Sequence, residues 1–146
     1  MSVEYWLISG VGVDIYDITP HINNRKLIDV ILRQCPDNED IKQWEHRKDI
    51  DKFDMEEFMY GSPFQNFADL LTHCDDTDTL TFGEDGDGGI YLYYPPSMPW
   101  ERTKNEPDSI EEVHRRLINV IQAITDMGEN EIRAVIDDDI YVVGCG

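Results

Sequence analysis

The side chains best supplied for chemistry in this chain are carboxylates. Asp and Glu total 31 against 12 Lys and Arg, a formal net charge of −19. The two signs are not evenly mixed. Between Lys52 and Arg102 there is no Lys or Arg, whereas Asp54, Glu56, Glu57, Asp69, Asp75, Asp76, Asp78, Glu84, Asp85 and Asp87 all fall in that stretch. Asp137, Asp138 and Asp139 form a second cluster. Such a one-sided field has two readings: a solvated surface that keeps the chain soluble, or a face that imitates phosphates and steers onto a basic cleft. On either reading nucleic acid and anionic lipid are disfavoured as direct partners, and a basic protein or a cation is favoured.

Other chemistries find less support. Asp75, Asp76 and Asp78, or Glu84, Asp85 and Asp87, offer hard oxygen ligands, but the calcium-loop pattern D-x-D-x-D-G with a following Glu is absent. His73 and Cys74 are adjacent, yet no second Cys/His pair stands at zinc-site spacing, so no metal and no cofactor is expected. Gly10-Val11-Gly12 follows a strand as a dinucleotide loop would, but Ile15 occupies the third glycine position and Asp14 would repel a phosphate; a bend is the simpler reading. No nucleophile elbow, HExxH or Cys-centred motif surrounds the four histidines or three cysteines, and His114 reads as a solvated residue. Acids are too abundant for any one pair to mark a hydrolase. The chain therefore reads as a binding protein, not an enzyme.

The elements that must position the acids begin with Thr79–Trp100. Two apolar-aromatic runs flank a Gly/Asp/Glu turn, which predicts a β-hairpin: Thr79–Gly83, a turn at Glu84–Gly88, and Gly89–Tyr94. Strand alternation puts Tyr91 and Tyr93 on one face and Leu92 and Tyr94 on the other, one set on the core and one partly wet. With Trp100 they are either interface aromatics or packing under the Pro95-Pro96 loop. The expected partner-binding set is thus Asp75, Asp76, Asp78, Glu84, Asp85, Asp87, Tyr91, Tyr93 and Trp100. As loop residues, the acids should be dispensable to the backbone and core.

Around the hairpin, Val3–Ser9 predicts a central strand loosened by Gly10 and Gly12. Asn23 or Asn24 caps a helix to about Gln34. Residues 36–54 read as a short surface helix or ordered loop, Met55–Tyr60 as a helical turn, and Ser62-Pro63 as the start of a helix to about Thr72. Asp108–Met127 predicts the clearest helix, capped by Asp108 or Ser109 and ended by Gly128. Its inward stripe includes Ile110, Val113, Leu117, Ile121 and Ile124. Glu131–Ile136 and Ile140–Val143 read as strands. The sum is one α+β domain over residues 1–146: a mostly antiparallel sheet of four to five strands covered by three or more helices, in two layers.

Composition sets the frame. The chain is 40% hydrophobic and 10% aromatic, which is too apolar for a disordered acidic segment. Cys35, Cys74 and Cys145 are odd in number and widely spaced, so no disulfide is expected and a reducing compartment is. The run MSVEYWLISGVGVDI carries Glu4 and Asp14 with no cationic lead, and no apolar run is long enough to span a membrane. A cytoplasmic setting follows.

The run Tyr91–Glu101, YLYYPPSMPWE, followed by an amphipathic helix and the segment YVVGCG, resembles small proteins carried by bacterial viruses and prophages. The likeness covers the first strand and roughly the second half of the chain. It brings no catalytic motif, so no site residue comes from it. Small acidic phage proteins include inhibitors of host defence, such as anti-CRISPR proteins and other nucleic-acid mimics. The resemblance implies a non-enzymatic inhibitor in the host cytoplasm, binding a basic nucleic-acid-handling protein such as a CRISPR effector or another nuclease. The alternative is a structural or assembly accessory protein of the same origin, possible as a homo-oligomer; a metal-binding module or small enzyme ranks behind both.

Overall fold

The computed structural model describes residues 5–60, 62–75, 79–96 and 110–145. They form two layers: a four-stranded antiparallel sheet and several helices covering it. The strands are β1 (Tyr5–Asp14), β2 (Thr81–Glu84), β3 (Ile90–Tyr94) and β4 (Asp137–Cys145), in the spatial order β2-β3-β1-β4. The helices are α1 (Asn24–Gln34), α2 (Glu39–Lys42), α3 (Met55–Tyr60), α4 (Phe67–Thr72), α5 (Ile110–Gln122) and α6 (Glu129–Val135). Among the described residues no helix is long and apolar enough to cross a membrane.

The expected first strand is longer than its sequence indicated. It runs through Gly10 and Gly12 to Asp14 and pairs with β3 on one side and β4 on the other. The glycines do not end the strand; they admit a neighbour. A Cβ on Gly10 would lie 2.0 Å from the Tyr94 carbonyl oxygen, and its φ of 145° is one that side-chain-bearing residues rarely adopt. The register with β4 shifts between Gly10 and Gly12, and the strand bends there.

Under the helices the core joins Val13, Leu92 and Tyr94 of the sheet to Leu27, Ile28 and Ile31 of α1, Leu70 and Leu71 of α4, and Leu117 and Ile121 of α5. Asn23 caps α1 through the Lys26 N–H, as predicted. Segment 36–54 contains both of its expected forms, α2 and an ordered loop. The Arg25 guanidinium holds the loop by donating to the carbonyls of Trp44, Glu45 and Arg47, while Arg47 stacks on Trp44 and pairs with Asp49.

Four local expectations are corrected. The helix expected from Ser62 starts at Phe67, because the Ser62 hydroxyl closes a local turn with the Phe64 N–H and the Met59 carbonyl, leaving Asn66 to cap α4 through the Asp69 N–H. The long helix ends at Gln122, where the Thr125 hydroxyl donates back to the Ile121 carbonyl and accepts from the Met127 N–H. Its expected caps, Asp108 and Ser109, lie outside the described residues. Ile110, in the first turn, is 49% exposed and not part of the core, while Leu117, Ile121 and Ile124 are buried and Val113 packs against them. Finally, residues 131–135, expected as strand, belong to α6. The Gly128 N–H donates to Glu131 Oε1, and Arg133 pairs with Glu129 one turn earlier and with Glu111 of α5.

The other face of the sheet buries Ile8, Tyr93 and Ile140, with Tyr91 and Val142 beside them. Across β3, Gly83 lies in line with Tyr91 and Asp14. Yet it is Ile8, further back along β1, whose Cγ1 lies 2.8 Å from where a Gly83 Cβ would stand. The bent β1 thus curls over the hairpin. On the opposite face of the β1–β4 ribbon, Leu7, Tyr141 and Val143 are exposed.

Candidate binding face: an acidic turn beside an apolar cleft

The hairpin forms where its sequence placed it, and its turn is rigid. Asp85 N–H donates to the Gly89 carbonyl, and Asp85 Oδ1 accepts from the N–H groups of Asp87 (2.8 Å) and Gly89 (2.9 Å). Gly86 and Gly88 take positive φ. From the segment after β1, the Tyr16 hydroxyl donates to the Gly88 carbonyl at 3.0 Å and ties the turn to the body of the protein.

The predicted acids divide into two kinds. Glu84 and Asp87 are exposed, with Glu84 Oε1 accepting from Asn66 Nδ2. Asp85 and Asp75, by contrast, are built into the fold. Asp75 Oδ2 accepts from the N–H groups of Thr79 and Leu80, and its Oδ1 accepts from the buried Tyr94 hydroxyl. The expectation that backbone and core do not depend on these acids is therefore overturned for Asp75 and Asp85. Asp76 and Asp78 lie outside the described residues, as does Trp100.

The tyrosines divide by strand face as alternation required. Leu92 and Tyr94 enter the main core, and Tyr91 and Tyr93 take the curled face. Tyr93 is only 9% exposed, and burial raises its pKa above the ordinary tyrosine value. Tyr91 is half-buried; its pKa is raised by burial and then by the carboxylates of Asp85, Asp14 and Asp137. These two rings pack more than they project.

Two projecting aromatics that sequence reasoning did not single out are Tyr16, and Tyr60 at the end of α3, which is 97% exposed. They stand at a cleft of about 480 Å³ beside the acidic turn. Its walls are Ile15, Tyr16 and Thr19 after β1, Met55 and Met59 of α3, Phe67 and Ala68 of α4, and Ile90 of β3. Glu56, Gln65 and Asn66, the partner of Glu84, also line it, and among the described residues none of its lining is basic. In the sequence this place shows only as the helical turn Met55–Tyr60.

The remaining candidates have structural roles. Cys35 and Cys74 are free thiols, and the side chain of Cys145 lies outside the description. Burial raises the Cys74 pKa, with Arg33 partly offsetting it, and its Sγ donates to the Leu70 carbonyl. His73, at the end of α4, packs at a tilt against the Phe64 ring. His114 is not simply solvated: Nε2 contacts Asp138 and Nδ1 contacts Arg133, so the ring links α5 to α6 and β4. Among the described residues no group of three His, Cys, Asp or Glu is arranged to hold a metal ion.

No protein-family model, curated protein or solved structure matches the chain.

Proposed function

We propose that the protein is a non-enzymatic binding protein that docks a basic, nucleic-acid-handling partner through the acidic hairpin turn, and that it acts by occupying sites meant for phosphates. The setting is the cytoplasm of a phage-bearing host, and the partner class that fits best is a nuclease such as a CRISPR effector. The observation that carries this reading is the turn itself. Glu84 and Asp87 are held outward on a backbone pinned by Asp85 and Tyr16, so little order is lost on binding. Residues 53–101 contain no Lys or Arg.

The test uses Glu84→Lys with Asp87→Lys, which leaves Asp75 and Asp85 in place. Capture from host lysate with the wild type supplies the partner, and a salt titration of each variant follows. The double variant should bind more weakly, with log K falling less steeply against log salt. Equal affinity across the salt series would refute the reading.

A second reading, an oligomeric assembly protein, is favoured by one observation: Leu7, Tyr141 (71% exposed) and Val143 form an apolar patch on the β1–β4 ribbon. A concentration-dependent oligomer that persists in high salt and dissociates with Tyr141→Ser would put that reading ahead.

A further inference from the structure

We propose that the cleft beside α3 receives the apolar side chains of a basic amphipathic helix in the partner, while the acids around it take that helix's Lys and Arg. The inference rests on the acidic-face reading and names the chemistry of its partner. The cleft is large enough for one or two bulky side chains. Met55 and Met59, one helical turn apart, present flexible, polarizable side chains that adapt to varied apolar shapes. Tyr16 and Tyr60 stand exposed at its mouth, each an apolar ring with a polar tip of the kind that anchors interfaces.

Charge complementarity decides the occupant. Glu56 lies in the wall and Glu84 is bonded to the lining Asn66, whereas among the described residues none of the lining is basic. An apolar segment flanked by cations fits this pattern; an acidic or neutral one does not. The backbone of the occupant is constrained as well. Ile90 belongs to β3, which is paired with β2 and β1 on its two sides, and the other walls are side chains from helices and turns. Among the described residues the cleft offers no strand edge, so an occupant that satisfies its own backbone hydrogen bonds, as a helix does, is favoured.

The probe is a fluorescently labelled synthetic peptide with Leu and Lys at amphipathic helical spacing, beside a scrambled peptide of equal charge, both read by anisotropy. Met59→Ser with Tyr60→Ser removes the apolar contacts; Tyr60→Ser alone alters a nearly fully exposed side chain and guards against a folding defect. The amphipathic peptide should bind more tightly than the scrambled one. The double variant should lose about tenfold or more in affinity with its salt slope unchanged, and Tyr60→Ser alone should lose part of that. The cleft proposal is overturned, with the acidic-face reading intact, if the cleft variants bind as wild type while Glu84→Lys with Asp87→Lys loses affinity. Equal binding of the scrambled peptide, or a wild-type dimer abolished by Tyr60→Ser, also overturns it. If the charge-reversed variant binds both peptides as wild type does, the acidic-face reading itself fails.

Discussion

Replacing Asp75 by Ala should unfold the protein more readily than any loss of negative charge would suggest. The carboxylate accepts from the Thr79 N–H at 3.1 Å, the Leu80 N–H at 2.9 Å and the Tyr94 hydroxyl at 3.1 Å. Hydrogen bonds to a charged acceptor contribute about 1.5–3 kcal/mol each when dry, and about 1 kcal/mol each for a half-buried group such as this, so the three sum to about 3 kcal/mol. Tyr94 is nearly fully buried, so its hydroxyl would be left without that acceptor in the core. Urea unfolding followed by tryptophan fluorescence is the assay, and the midpoint should fall by about 1–2 M at a slope ordinary for this size. Asp75→Asn retains one acceptor oxygen and should lose about half as much. A cycle with Tyr94→Phe isolates the hydroxyl bond, with a coupling of about 1 kcal/mol. Asp87→Ala, exposed, should stay within about 0.5 kcal/mol of wild type. An Asp75→Ala midpoint within about 0.3 M of wild type would refute the clasp and restore Asp75 to the expendable acids.

Leu117→Ala should cost about 2–5 kcal/mol in the same assay, whereas Ile110→Ser, three residues from the nearest helix residue packed on the core, should stay near wild type. Because folding raises the pKa of Tyr93, the stability linked to its neutral form is complete below the unfolded tyrosine value near 10 and is lost as pH climbs through the folded value; Tyr93→Phe should flatten the alkaline limb of a stability–pH profile. An absorbance titration showing Tyr93 ionising below pH 10 would contradict this sign.

The parts of the fold read correctly from sequence are those whose signals are local. Asn23 sits one residue before the helix that carries the Leu27–Leu32 stripe and caps it, and glycines among acids mark the hairpin turn. The α6 segment carries local signals, Gly128 three residues before Glu131 and Glu129 four before Arg133, but Ile132, Val135 and Ile136 give it the β-branched content of a strand; the pairing of Arg133 with Glu111 of α5 is not visible in sequence spacing. Gly10 and Gly12 read as a bend after the strand; the chain does bend there, but the strand runs on through them because Tyr94 approaches too closely for a side chain. The acids were legible as a population but not as individuals: Asp85 closes its own turn on the Asp87 and Gly89 N–H groups, Asp75 reaches the distant Tyr94 hydroxyl, and Glu84 and Asp87 are exposed, Glu84 accepting from Asn66. The cleft joins residues 15–19, 55–68 and 90, and only the folded chain brings them together.

The strand order has a consequence for how the protein is made. β1 is central, yet its β4 partner comes from residues 137–145, so a nascent chain can zip β1 to β3 long before it can complete the sheet. Until β4 emerges from the ribosome, the flank of β1 stays open, and Ile8 and Tyr93 wait for Ile140 to close their cluster. Crowded synthesis on one message therefore invites neighbouring chains to exchange their last strands, since β4 of one copy fits β1 of another as well as its own. Slow translation ahead of residue 137 lengthens that window, and dilution of the nascent chains removes the rival.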